Sequence, residues 1–120
     1  MMNKQVSSPS PLDKRAALRA AGGDPAFLDE LIVLYLKDAT KGIARAGSLA
    51  RAGRFKDLEK EAHRLKGASL TLSLPILAEM FADLEAAARD RNPQAAAQLS
   101  KRLGAELGAL RRFWTAPAKP

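Results

Sequence analysis

The chain contains no cysteine. A disulfide scaffold and a thiolate metal site are therefore excluded, and the redox compartment stays open. Aromatic residues are scarce, at 5% of 120 residues, whereas apolar residues make up 47%. A core drawn mainly from leucine and alanine favours helices over a sheet. No apolar run approaches the roughly 20 residues that a membrane-spanning helix needs. Met1 to Ser10 holds one lysine and no apolar stretch of the kind a secretory signal requires. A cytoplasmic protein of one domain is the expectation. Neither a Gly-x-x-x-x-Gly-Lys-[Ser/Thr] loop nor a glycine-rich strand-to-helix turn occurs, so ATP binding and self-phosphorylation are not expected.

Negative charge is also in short supply: 13 acidic residues face 20 lysines and arginines, for a net charge of +7. The excess is uneven. Lys41 to Lys66 is strongly basic, Asp24 to Asp38 and Gly67 to Asp90 are acidic, and the chain is basic again from Arg91. A basic zone suits any acidic surface, protein or nucleic acid, and equally a solvated face with no specific partner.

Turn residues divide the chain into five helical stretches. Met1 to Ser10 is polar and reads as a flexible lead-in, and residues 116–120 as a flexible tail, leaving residues 11–115 as the domain. A short helix from about Leu12 to Ala21 has Asp13 near its start and stops at Gly22-Gly23. Asp24-Pro25 opens a long helix with the stripe Leu28, Leu31, Ile32, Tyr35, Ala39, Ile43, Ala46 and Ala50, ended by Gly53. The third helix, about Phe55 to Leu72, has a poor cap in Arg54 and breaks at Ser73-Leu74-Pro75, where Ser73 is placed to cap the next. That helix carries Leu77, Met80, Phe81, Leu84 and Ala88 on one face. Asn92-Pro93 opens the last, with Ala96, Leu99, Leu103, Leu107, Leu110 and Trp114; its Gly104 and Gly108 would let a neighbouring helix approach closely. No useful length alternates with period two. The fold class is all-α: an antiparallel up-down four-helix bundle with a short additional N-terminal helix.

There is a single histidine, His63. In the third helix Leu58, Ala62, Leu65, Ser69 and Leu72 form an apolar stripe, and His63 lies well off it, facing solvent. Lys66 and Gly67 stand at i+3 and i+4, its neighbours on the helix surface. One offers a charge. The other offers space, at a cost of roughly 0.5–1 kcal/mol against alanine in a helix interior. An imidazole is largely neutral near pH 7, so an exposed one beside a cation suits phosphoryl acceptance. With one histidine and no cysteine, a metal site is not expected. No nucleophile–base–orienter set for hydrolysis can be named either.

The run Ala62-His63-Arg64-Leu65-Lys66-Gly67-Ala68-Ser69, followed by Leu77 to Leu84-Glu85 and Arg89, resembles the histidine-containing phosphotransfer (HPt) domain family of two-component phosphorelays. Leu12-Asp13, Gly22-Gly23-Asp24 and Phe27-Leu28 before a long helix are similar too, so the likeness covers about Leu12 to Trp114. The resemblance implies a phosphocarrier and not an enzyme: His63 as phosphoacceptor, Lys66 stabilising the phosphoryl group, Gly67 giving clearance. It implies response-regulator receiver domains and hybrid histidine kinases as partners, with Mg²⁺ supplied by the receiver and no cofactor of the chain's own. Two departures stand out. Leu72-Ser73-Leu74 replaces the family's usual Leu-Gly-Ala, and Gly53-Arg54 replaces the Gly-Asp that often opens the histidine helix.

A docking surface follows from the same helix. Leu70 and Leu74 continue the His63–Gly67 side, Phe27 and Leu34 lie off the main stripe of the long helix, and Lys60 and Arg64 add charge. For Phe27 and Leu34 the alternative is packing on the short N-terminal helix. A monomer with no membrane association is expected, and a free-standing protein in preference to a piece of a larger kinase. Two other readings stay open at this point. One is a basic helical module that binds nucleic acid or an acidic protein without phosphoryl chemistry; the other is a degenerate carrier kept as a scaffold.

Overall fold

The helix starts are set by short polar side chains. Asp13 accepts a hydrogen bond from the amide of Ala16, Asp24 from those of Ala26 and Phe27, and Asn92 from that of Ala95. Each satisfies first-turn N–H groups that have no partner inside the helix. Proline occupies an opening position of three helices, where its missing N–H costs nothing. A computed structural model describes residues 11–114. Among them are α1 (Lys14–Ala20), α2 (Pro25–Arg51), α3 (Phe55–Thr71), α4 (Pro75–Arg89) and α5 (Pro93–Phe113), and no strand. The lead-in expected over 1–10 and the tail expected over 116–120 lie outside the described residues.

The four long helices form a closed ring of neighbours: α2 packs on α3 and α5, and α4 packs on the same two. Short turns join consecutive helices, which makes the bundle antiparallel and up-down. The core is the set the periodicity marks, including Ile32, Ala39, Leu58, Ala62, Leu65, Leu77, Phe81, Leu84, Leu103 and Leu110, all fully or nearly fully buried. α1 closes one end. Leu12 is buried in the core cluster, and the Asp13 amide donates to the Ser73 carbonyl in the α3–α4 turn at 2.9 Å. At the far end of α5, the Trp114 indole N–H donates to Asp29 of α2 at 2.8 Å.

Two features of the α3–α4 turn correct the sequence reading. Ser73 does not cap α4; Leu74 holds the N-cap position and no side-chain hydrogen bond is made there. Ser73 instead takes a left-handed conformation with φ of 60°, which reverses the chain between the helices. That reversal is why Leu74 is fully buried in place of lying beside Leu70 on the outer face of α3: the α3 periodicity no longer applies once the helix has ended. Gly104 and Gly108 are corrected as well. A Cβ added at Gly104 would meet nothing within 4 Å, and at Gly108 it would meet only an Arg112 side chain 3.5 Å away, so no helix approaches at either. The close approach is at Gly42 of α2. A Cβ there would stand 2.6 Å from Leu65 Cδ1 and 2.9 Å from Glu61 Oε2 of α3.

Ser69, the polar member of the α3 stripe, is fully buried and satisfied. Its hydroxyl donates to the Leu65 carbonyl at 2.8 Å and lies 2.6 Å from the hydroxyl of Tyr35 on α2. With the Ser69 proton so used, Tyr35 donates to Ser69. Burial pushes the Tyr35 phenol up to about 12; the Ser69 contact opposes the rise and the nearby Asp38 charge adds to it. A raised pKa means that the protonated phenol stabilises the fold fully below the ordinary value of 10.0 and that this contribution is lost as pH climbs towards 12. Tyr35 is the single tyrosine of the chain. Tyrosinate absorbance should thus stay flat through pH 10 in native protein and rise near pH 10 in urea-unfolded protein. Coincident titrations would show that Tyr35 is not buried.

Candidate functional site

His63 sits midway along α3, on the side that faces outward past α4. Its side chain is 68% exposed, as the stripe of Leu58, Ala62, Leu65, Ser69 and Leu72 requires of a residue off that face. The ring is not free to rotate, however. Nδ1 lies 3.0 Å from Oε2 of Glu85, which reaches across from α4. The Nζ of Lys66 lies 3.0 Å from the other oxygen of the same carboxylate, Oε1, and Arg89 reaches Oε2 at 3.4 Å. Arg89 also pairs with Glu59 at 3.2 Å, which ties the first turns of α3 to the end of α4.

Glu85 is largely buried, with 9% of its surface exposed. Burial on its own raises a carboxyl pKa. Here hydrogen bonds from Lys66 and His63 outweigh it and hold the Glu85 carboxyl below the usual carboxylate range. Glu85 is thus ionised at neutral pH and can only accept. The proton between it and His63 belongs to Nδ1, which leaves Nε2 of the neutral ring with a lone pair directed at solvent. A shallow cleft of about 390 Å³ opens beside the ring, lined by Lys56, Glu59, Lys60, His63 and Glu85.

Gly67 faces open space. A Cβ added there would meet nothing within 4 Å, so packing among the described residues gives no reason for glycine. The other residues singled out from sequence divide into groups. Leu70 is 61% exposed on α3, and Phe27 and Leu34 are 45% and 60% exposed on α2. Lys60 is exposed at the cleft beside the ring. Arg64 is committed within the molecule. It is bidentate to Asp38 of α2, at 2.9 and 3.2 Å, and also bonds Glu61, which in turn pairs with Arg45 at 2.8 Å. This network holds α3 to α2 beside the Gly42 crossing. Leu74, buried in the core, is no part of the outer surface.

Glu85 belongs to the run that carries the family resemblance, yet the sequence alone assigns it no role at the site. A signal existed: a carboxylate between Leu84 and the Ala87–Ala88 pair sits at the border of an apolar face, where a charge needs a partner. Periodicity gives no means of saying which helix supplies that partner.

Comparison with protein families finds a match to the Hpt domain over residues 30–113, from the second turn of α2 to the end of α5. A comparison with curated proteins gave no match. Among solved structures, the chain is similar to the histidine-containing phosphotransfer protein ZmHP2 from maize, with a TM-score of 0.74 and 21% identity, over 85% of this chain and 78% of that one. That likeness establishes the helical-bundle fold. The family match reaches through four of the five helices and includes the histidine face, and on that ground the chain belongs to the Hpt domain family and takes the part of a phosphorelay carrier.

Proposed function

We propose that His63 is the phosphoacceptor, taking a phosphoryl group from the aspartyl-phosphate of one receiver domain and passing it to another. The observation that carries this is the shared Glu85 carboxylate, which binds His63 Nδ1 and Lys66 through separate oxygens. Nε2 attacks phosphorus, the N–P bond forms as the P–O bond to the aspartyl group breaks, and the carboxylate leaves with the electron pair. The ring gains positive character, which Glu85 offsets through Nδ1–H. Lys66 offsets the phosphoryl oxygens. Such a transfer needs positioning and charge stabilisation more than covalent machinery, and the receiver partner brings its own carboxylates and Mg²⁺. Hybrid histidine kinases and response-regulator receivers are the partner classes of Hpt domains. The exposed Phe27, Leu34 and Leu70, with Lys60, offer them an apolar surface edged with charge. No described helix is long and apolar enough to cross a membrane; a cytoplasmic monomer completes the proposal.

The test is incubation with a panel of phosphorylated receiver domains. Transferred label should be lost in acid and kept in alkali, as a phosphoramidate requires; acid-stable label would point to a serine or threonine and overturn the assignment. Two variants separate charge from space. Lys66→Ala removes a charge-assisted contact of about 1.5–3 kcal/mol, so transfer should slow by about tenfold or more while receiver affinity is kept. Gly67→Gln should melt no lower than wild type, because glycine is the poorer helix former. It should nonetheless bind the receiver more weakly, since a long side chain one turn from His63 fills the open space. Unchanged affinity in the Gly67→Gln variant would leave the clearance role without support.

A further inference from the structure

On the side of the bundle away from His63, α2 and α5 enclose a groove of about 560 Å³ lined by Val33, Leu36, Lys37, Thr40, Lys41 and Arg111. Its floor is apolar and Val33 is 45% exposed. Its charged lining residues are all basic, and among the described residues none of the three takes part in an ion pair; Arg111 bonds only the Thr40 hydroxyl, at 3.3 Å. The histidine side is different. There Arg45, Arg64, Lys66 and Arg89 are each met by a carboxylate of the chain, and unpaired Lys56 and Lys60 share their cleft with the carboxylates of Glu59 and Glu85, whereas the groove holds no acidic residue. Three uncompensated cations around an exposed valine have no evident internal use.

We propose that this groove docks an acidic amphipathic helix of a partner protein. Lys37 and Lys41 are one turn apart, about 6 Å along α2, which matches carboxylates at i and i+4 on a helix lying alongside. Arg111 on the facing wall takes a third carboxylate, and an apolar side chain between them seats on Val33 and Leu36. The chain's own ends are unsuitable occupants by sign: residues 1–10 and 115–120 contain lysine and no acidic residue. A second copy is disfavoured by the net charge of +7. Nucleic acid would use the cations and leave the apolar floor unused. The groove is formed by α2 and α5, whereas His63 and Glu85 stand on α3 and α4, so a docked helix leaves the phosphoacceptor itself uncovered.

The test uses the full chain and a fluorescent synthetic helical peptide with glutamates at i and i+4 flanking a leucine. Wild type should bind it and not the peptide with lysines in place of the glutamates. Lys37→Glu with Lys41→Glu should weaken binding by about tenfold or more, because two attractions become repulsions. Val33→Ser, and serine for the peptide leucine, should each weaken it about fivefold. Phosphoryl labelling from a receiver should be the same in all these variants and at saturating peptide. Equal binding by the double variant, or loss of labelling at saturating peptide, would overturn the proposal. So would two other results. A duplex oligonucleotide bound through the same lysines and indifferent to Val33→Ser would make the groove a nucleic-acid site. Concentration-dependent self-association abolished by the double variant would make its occupant a second copy.

Discussion

The His63→Gln variant should accept no phosphoryl group from any receiver domain that labels wild type, and should fold and melt as wild type does. Glutamine is similar in length and keeps an amide that can reach Glu85, but its nitrogen has no nucleophilic lone pair. The effect on transfer is therefore complete, not a slowing. The effect on stability is small because the side chain is 68% exposed and its one partner among the described residues is Glu85. A surface substitution of this kind changes stability by no more than about 0.5 kcal/mol. Label transfer and a thermal melt of the same preparation decide it. Residual acid-labile label on the variant would remove His63 from the mechanism altogether, since no second histidine exists to take its place.

The largest stability loss should come from a residue with no side chain. Gly42→Leu places its first carbon 2.6 Å from the Cδ1 of Leu65, and three more carbons beyond it. The far end of a flexible side chain sometimes yields cheaply, but Leu65 is fully buried and can yield only by displacing the core. Glu61, 2.9 Å away and one turn earlier on α3, is held by both Arg45 and Arg64. Leucine gains about 1 kcal/mol over glycine in helix propensity. Overpacking of this kind costs about 1–3 kcal/mol per modest insertion and more where several carbons enter. A net loss of about 2 kcal/mol or more is expected, read as a lower denaturation midpoint. Gly42→Ala inserts the first carbon alone and should lie between wild type and Gly42→Leu. If Gly42→Leu is as stable as wild type, α2 and α3 do not cross at this point.

Which parts of this were legible in the sequence follows from what a sequence pattern encodes. Apolar periodicity reports one helix at a time. It placed Leu58, Ala62, Leu65, Ser69 and Leu72 in the core and His63 outside it. Asp13, Asp24 and Asn92 announced their helices because capping is a local interaction. Features made by two helices together were not legible in this way. Nothing in α4 alone says that Glu85 will meet His63 and Lys66, and nothing in α2 alone says that Gly42 and not Gly108 is where another helix passes. Ser73 and Leu74 were misread because a helical pattern was extended one residue past the point where the backbone turned left-handed. Nor does α3 alone say that Arg64 will pair with Asp38, distant in sequence, on α2.

The indole of Trp114 is the only one in the chain, and it is anchored to Asp29 across the join of α5 with α2. Its emission is therefore a built-in gauge of that join. Separation of the two helices releases the indole to water and shifts the spectrum to the red, whereas events confined to α3 and α4, including charging of the imidazole, leave the spectrum where it was. A protein with one fluorophore so placed distinguishes, without any label, a bundle that has come apart from one that has merely changed its chemical state.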